Sequence, residues 1–108
     1  MKRLSDTLTV SPQIQAADVA ALVAAGFKSV LCNRPDGEEP GQPAFATIAA
    51  AAEAAGVPVV HLPVVAGAIT PDQVTAFADV LDRLPTPIFA YCRSGGRCEM
   101  LWIQAQAR

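Results

Sequence analysis

One segment of the chain carries the ingredients of a reactive cysteine. Cys92 follows an apolar run, and Gly95 and Gly96 come shortly after it, ahead of Arg97. Glycines let backbone N–H groups turn inward without a Cβ clash, and the start of a helix adds the favourable end of its dipole. Such inward N–H groups form a cradle that binds anions. A cysteine at the mouth of this cradle is stabilised as the thiolate, and an arginine side chain can donate two parallel hydrogen bonds to an oxyanion. Besides the catalytic candidates Cys92 and Arg97, the predicted anion-binding loop contains Arg93, Ser94, Gly95, Gly96 and Cys98.

The alternative is that Cys92 is a buried cysteine ahead of an ordinary glycine turn. Isolated glycine turns are common. It is less common for a strand to be followed by a cysteine, glycines, an arginine and a helix, so we favour an active site. Cys98 could resolve a persulfide on Cys92 or form a disulfide with it, but packing as a small apolar residue is the favoured interpretation. Cys32 ends an apolar run and is predicted to lie in the core.

No metal site and no cofactor are predicted. His61 is the only histidine, and no two cysteines have C-x-x-C spacing, which argues against a structural zinc site. The chain has three cysteines, an odd number that cannot all pair in disulfides within the chain. Its first ten residues contain no long apolar stretch of the kind that a signal peptide has. We therefore expect a cytoplasmic protein with reduced thiols rather than a secreted, disulfide-bonded one.

Length and charge restrict the function further. A chain of 108 residues fits one domain, with residues 1–108 around one core. Its net charge is −2 and its 8 basic residues form no run, so no nucleic-acid partner is expected. No apolar segment is long enough to predict a membrane span.

Strand-like and helix-like segments alternate along the chain, with no linker or repeat between them. Alternation of this kind predicts βαβ units and a mostly parallel sheet of four to five strands, in a three-layer α/β/α domain. The predicted strands are 8–10, 29–32, 59–62 and 87–91, and the predicted helices are 17–25, 44–55, one that starts at Pro71 behind a Thr70 cap, and 97–107.

Ligands of parallel sheets bind beyond the carboxyl ends of the strands, so the loops after Cys32, Leu62 and Tyr91 should share one edge. Arg34 and Asp36 then become substrate-contact candidates, although we slightly favour a structural role for Arg34 that ties Asp36 into the turn. Other residues near this edge have mainly structural interpretations. Asn33 holds its loop, Tyr91 packs, and Trp102 docks the last helix. His61 could orient the loop or tune Cys92, but a satisfied core histidine on a central strand is favoured.

Three motifs give the chain a family resemblance. They are NRPDGEEPGQ at 33–42, HLPV at 61–64, and YCRSG at 91–95 followed by Arg97 and Leu101-Trp102. The chain resembles the phosphatase-like domain of beta-lactamase hydrolase-like bacterial proteins, a family also described as sulfur transferases. The resemblance spans nearly the whole chain and implies a shortened dual-specificity phosphatase fold. It also implies rhodanese or persulfide dioxygenase modules as partners, and hence a role in sulfide metabolism.

The candidate loop departs from the family of cysteine phosphatases. Those enzymes place five residues between cysteine and arginine, a spacing that puts Cys98 in the arginine position. Arg97 gives a spacing of four residues, which is similar to the persulfide-carrying loop of rhodaneses. Gly96 stands where relatives usually have threonine, which should loosen the loop. Glu99 adds a negative charge that should weaken dianion binding.

A cysteine phosphatase also needs a general acid, which relatives keep on the loop after the preceding strand. Here that loop, residues 63–70, contains no acid. Asp72 fits the first turn of a helix, where an acid is usually structural, and catalytic and structural roles are equally plausible for Asp36, Glu38 and Glu39.

Sulfur transfer needs no such acid. The sequence therefore predicts a sulfur transferase that acts through a Cys92 persulfide, with a small thiol, persulfide or oxyanion as substrate. One alternative is a phosphatase-like hydrolase that forms a cysteinyl-phosphate. Another is a non-catalytic module that binds an anion or a persulfide.

Overall fold

A single five-stranded sheet forms the centre of the molecule in a computed structural model that describes all of residues 1–108. The strands are Lys2–Arg3 (β1), Leu8–Ser11 (β2), Ser29–Cys32 (β3), Val59–His61 (β4) and Ile88–Tyr91 (β5). They lie in the order β1-β2-β5-β3-β4. β1 pairs with β2 in antiparallel fashion, and every other pair is parallel.

Four helices cover the two faces of this sheet: Val19–Ala24 (α1), Phe45–Ala54 (α2), Pro71–Arg83 (α3) and Gly96–Ala107 (α4). A short 3-10 helix, Ala16–Asp18, leads into α1. None of the helices has the length and apolarity needed to cross a membrane.

The sheet separates two hydrophobic cores because successive strand side chains point to opposite faces. On one face, residues of α3 and α4 pack on Leu31, Ala90 and Cys92, and Trp102 docks α4 against this core. On the other face, α1 and α2 pack on Cys32 and Tyr91. The molecule is thus the predicted three-layer α/β/α domain, and Cys32, Tyr91 and Trp102 pack as expected.

Local signals in the sequence set the helix boundaries. At the start of α3, the Gln73 N–H donates to the Thr70 hydroxyl at 3.2 Å, and the Gln73 side chain accepts from the Thr70 N–H at 2.9 Å. Pro71 follows at the first helical position, where a missing N–H costs nothing. The predicted elements match the observed ones to within one or two residues.

Two features differ from the sequence-based prediction. β1 was not predicted, because two exposed residues leave no alternating pattern. His61 was predicted on a central strand, which is wrong: β4 pairs only with β3 and forms an edge of the sheet. A short apolar run has the same composition at an edge as at the centre, so the pattern could not distinguish the two.

Candidate active site

The loop between β5 and α4 folds around the sulfur of Cys92. Gly95 adopts a left-handed conformation with φ of 93°, and α4 begins at Gly96. This turn brings the Gly95 N–H to 3.1 Å from Cys92 Sγ, to which it donates a hydrogen bond. The nearby backbone N–H groups of Arg97 and Cys98 also favour the thiolate and lower the pKa of Cys92. The glycine turn that the sequence predicted after Cys92 is present, and the Cys92 sulfur lies inside it.

These donors lower the pKa of Cys92 to about 5. The largest contribution is a hydrogen bond from the Cys98 thiol; burial opposes it, and the backbone N–H groups of Cys98, Arg97 and Gly95 lower the pKa further. The same contact with Cys92, together with burial, raises the pKa of Cys98. At neutral pH the site therefore holds a Cys92 thiolate beside a protonated Cys98 thiol. Cys98 packs in the core as favoured, and its thiol also favours the thiolate form of Cys92.

Cys92 lies deeper than the sequence suggested. The residue is 0% exposed and belongs to the core beneath α3 and α4. The sulfur is thus at the bottom of the cradle rather than at its mouth. Its amide N–H donates to the Ser11 carbonyl at 3.3 Å, which anchors the loop to β2.

A cleft of about 1080 Å³ opens beside this loop at the carboxyl edge of the parallel strands. Arg93, Ser94, Gly96 and Arg97 line it from the loop between β5 and α4 and from the start of α4, and Arg34, Glu38 and Glu39 reach it from the loop after β3. Ala66, Gly67 and Ile69 come from the loop after β4, and Met100 and Gln104 come from α4. The three loops after β3, β4 and β5 therefore share one edge, as predicted.

Arg97 is held by one side of its guanidinium. Nη1 donates to Glu38 Oε2 at 2.6 Å and to the Val64 carbonyl at 2.9 Å, while Nη2 donates to Glu38 Oε1 at 2.8 Å. These bonds use three of the five N–H groups and leave the Nε–H and one Nη2–H. The guanidinium also interacts electrostatically with the Cys92 thiolate. Arg97 thus keeps a two-donor edge that a bound oxyanion could use.

Arg34 is a buried support for the site, with a side chain 2% exposed. Its Nε and Nη2 donate to Glu38 and Glu39, each at 2.8 Å, and its Nη1 donates to the Gln13 side chain at 3.1 Å. All three nitrogens are therefore occupied by protein groups. The favoured structural role of Arg34 fits this geometry, but its partners are Glu38 and Glu39 and not Asp36.

Glu38 joins the two arginines, and its role was not singled out by the sequence. Arg97 and Arg34 together hold the pKa of Glu38 at about 2, with the Arg97 hydrogen bond as the largest cause. Arg34 likewise lowers the pKa of Glu39. Both carboxylates are ionised at neutral pH and cannot serve there as proton donors. In the sequence, Glu38 could be found only as one of two adjacent acids on a loop at the predicted sheet edge. Its pairing with Arg97 depends on tertiary structure.

The other acids lie outside the cleft. Asp36 is exposed and accepts a hydrogen bond from the Phe45 N–H at 2.8 Å, so it caps the start of α2, and it does not line the cleft. Asp72 lies in the first turn of α3 and does not line the cleft. Glu99 pairs with Lys2 at 2.7 Å, a contact that offsets the charge expected to weaken anion binding.

Two further residues position the loop after β3. Asn33 is fully buried, and its side-chain N–H donates to the Leu62 carbonyl at 2.9 Å. The His61 ring lies 2.9 Å from the Arg34 carbonyl through Nε2, and it stacks on Phe45 with ring centroids 4.3 Å apart. Asn33 therefore ties the loop after β3 to the end of β4, as predicted for it, while His61 holds the backbone of Arg34, which corresponds to the less favoured of its interpretations.

Ser94 and Gly96 stabilise the turn itself. The Gly96 N–H donates to the Ser94 hydroxyl at 3.2 Å, and a Cβ at position 96 would lie 3.3 Å from that oxygen.

No group of three or more His, Cys, Asp or Glu side chains is arranged to hold a metal ion.

Comparison with known proteins places this geometry in a family. The model of the family described as "Beta-lactamase hydrolase-like protein, phosphatase-like domain" matches residues 1–108. A beta-lactamase hydrolase-like protein from Agrobacterium fabrum (strain C58) is 39% identical over 105 residues, and the match covers 97% of this chain and 24% of that protein. The chain thus spans about a quarter of the length of this curated relative.

Solved structures agree with this assignment. The crystal structure of a candidate phosphatase from Neisseria meningitidis Z2491 is 41% identical, with a TM-score of 0.87 over 94% of this chain and 72% of that one. A candidate phosphatase from Shewanella putrefaciens CN-32 shares the fold at 20% identity, with a TM-score of 0.81 over 98% of this chain and 66% of its own. The chain belongs to the family of phosphatase-like domains of beta-lactamase hydrolase-like proteins.

Proposed function

We propose that this phosphatase-like domain is a sulfur transferase that carries sulfur as a persulfide on Cys92. The proposal rests on the carboxylates in the cleft, which are paired with arginine. Both cleft carboxylates, Glu38 and Glu39, are paired with arginine, and the loop after β4 contributes only Ala66, Gly67 and Ile69. The loop thus holds a buried thiolate beside a cleft whose lining offers no group able to protonate a leaving oxygen. Sulfite and thiolates leave without such a proton, whereas alkoxides do not.

The reaction has two steps. The Cys92 thiolate attacks the outer sulfur of a donor such as thiosulfate, a new S–S bond forms, and the donor's S–S bond breaks to release sulfite. A second thiolate then attacks the outer sulfur of the Cys92 persulfide and restores the Cys92 thiolate. The cradle N–H groups and the free edge of Arg97 stabilise negative charge during both steps.

Intact-protein mass spectrometry tests this proposal directly. After incubation with thiosulfate or glutathione persulfide, the wild-type chain should gain the mass of one sulfur atom, and Cys92→Ser should gain none. Addition of a thiol acceptor should remove the added sulfur. Absence of the adduct with both donors would refute the proposal.

A phosphatase is the second candidate, supported by the fold of the solved relatives and by the free edge of Arg97. Without a general acid, the rate of such an enzyme would depend on how readily the leaving group departs without a proton. Rapid phosphate release from an aryl phosphate, lost in Cys92→Ser and accompanied by no sulfur adduct, would establish this alternative. A non-catalytic binding module would show neither reaction.

The remaining three quarters of the curated relative's length leave room for further modules. We propose that a persulfide dioxygenase or rhodanese module supplies or accepts the sulfur. The three cysteines are unpaired, which suits a cytoplasm that keeps thiols reduced.

A further inference from the structure

Two of the three cysteines lie together behind the loop between β5 and α4. Cys92 and Cys98 are both 0% exposed and belong to the same core cluster, whereas Cys32 lies in the core on the other face of the sheet. Cys98 is the third residue of α4, so the turn at Gly95 folds its side chain back towards Cys92. The Cys98 thiol lowers the pKa of Cys92 more than any backbone N–H group does, as expected for two side chains in contact.

The two cysteines meet on the side of the loop that faces away from the cleft. Arg93, Ser94, Gly96 and Arg97 line the cleft, but neither cysteine does. A sulfur delivered from the cleft therefore becomes the outer sulfur of a Cys92 persulfide on the cleft side. The inner sulfur, that of Cys92 itself, keeps its contact with Cys98 inside the core.

The charge on Cys92 controls how readily Cys98 can react. Contact with the Cys92 thiolate is the largest cause of the raised pKa of Cys98, and burial adds to it. In a persulfide the negative charge lies on the outer sulfur, one bond further from Cys98. Loading with sulfur thus weakens the main restraint on Cys98, and the reactivity of a thiol rises with the fraction present as thiolate.

We propose that Cys98 resolves the Cys92 persulfide and releases its sulfur as hydrosulfide. The Cys98 sulfur bonds to the inner sulfur, the bond between the inner and outer sulfurs breaks, and the Cys98 proton leaves on the outer sulfur as HS⁻. The two cysteines are oxidised to a disulfide by two electrons, which reduce the outer sulfur to sulfide. A thiol reductant then restores both cysteines by exchange. This inference rests on the proposed sulfur transfer and adds a second route for the transferred sulfur when no acceptor thiol is present.

The first test follows the loaded protein after the donor is removed by desalting. The wild-type chain should first gain one sulfur, then lose it and end two hydrogen masses below its reduced form, with one equivalent of hydrosulfide released. Cys98→Ser should hold its added sulfur at least roughly tenfold longer, because only the wild type has an attacking thiol already in place. Cys32→Ala is the matched control, since it removes the buried cysteine of the opposite face, and it should behave as the wild type does.

The outcomes separate this inference from the function on which it rests. If neither the wild type nor Cys98→Ser gains sulfur, and no hydrosulfide appears, the proposed function fails and the inference falls with it. If the wild type holds its sulfur as long as Cys98→Ser and releases no hydrosulfide, sulfur transfer stands and the role of Cys98 is overturned. Release of hydrosulfide by both proteins at one rate overturns that role as well.

The second test needs no sulfur donor. Diamide, a thiol oxidant that takes up two hydrogens, should link Cys92 to Cys98 in the folded protein. Trypsin cleaves after Arg93 and Arg97, so the two cysteines fall on separate peptides, 84–93 and 98–108, which the disulfide joins. Their joint mass, lost on reduction, supports the inference. If diamide yields no such pair, the two sulfurs cannot bond and the inference is overturned.

Discussion

Glu38 binds Arg97 through both Nη atoms, at 2.6 and 2.8 Å, and leaves the Nε–H outside the pairing. The carboxylate therefore fixes the guanidinium from one side and leaves the Nε–H and one Nη2–H on the other side. Because Glu38 also pairs with the buried Arg34, its own position is fixed by a second cation. In the proposed sulfur transfer, Glu38 acts through Arg97 and is a positioning residue.

The first prediction concerns this pair. Glu38→Gln weakens two charge-assisted hydrogen bonds to Arg97, each worth about 1.5–3 kcal/mol, so kcat/KM for sulfur transfer should fall at least tenfold. Glu39→Gln, which removes a carboxylate that does not contact Arg97, should cost less. Steady-state kinetics of both variants would check this, and equal losses would contradict the assigned role of Glu38.

The second prediction is a pH profile. Since the pKa of Cys92 is about 5, its alkylation by iodoacetamide should rise with pH through about 5 and then level off. An unperturbed cysteine would instead show its midpoint near ~8.5. Mass spectrometry of Cys92-containing peptides would give the profile. A midpoint near the ordinary value would favour the non-catalytic binding module.

The third prediction separates the two roles of Cys98. Cys98→Ala removes the thiol that contributes most to lowering the pKa of Cys92, so the alkylation midpoint should move upward. Cys98→Ser keeps a donor of similar size and should retain a low midpoint. The same measurement on both variants decides the matter. If alanine and serine gave one and the same midpoint, Cys98 would be a packing residue only.

The fourth prediction concerns the left-handed turn. Gly95→Ala should destabilise the domain by about 1–2 kcal/mol, because its φ of 93° is unfavourable for a side chain. The variant should also raise the pKa of Cys92, since the Gly95 N–H donates to the sulfur. Gly26→Ala, with φ of 105° and open space around its Cβ, should cost similar stability without any change at Cys92. Denaturant unfolding and alkylation would separate the two effects.

The fifth prediction is acid lability of the Glu38 contacts. The folded pKa of Glu38 is about 2, below its ordinary value of 4.5, so its pairing stabilises the fold fully above about pH 4.5. That contribution is lost as the pH falls towards 2. The difference in unfolding free energy between wild type and Glu38→Gln should shrink over this interval. A difference that stays constant with pH would show that charge plays no part in it.

The sequence predicted the elements and the loop better than the pairing of side chains. The strand 29–32 and the cap at Thr70 follow from local patterns, and Cys92 with its glycines forms one continuous segment. The Glu38–Arg97 contact joins residues 59 positions apart and depends on how two loops meet at the sheet edge. The edge position of β4 depends likewise on strand order, which an apolar run does not encode.

The burial of Arg34 has a consequence for the motions of the site. Its guanidinium binds the loop after β2 through Gln13 and the loop after β3 through Glu38 and Glu39, and Glu38 continues to α4 through Arg97. Release of any one of these segments breaks a hydrogen bond to a buried cation, which costs about 1.5–3 kcal/mol, so the segments are held together through Arg34. They form one cooperative opening unit, and their slowly exchanging amides will report a single free energy of local unfolding.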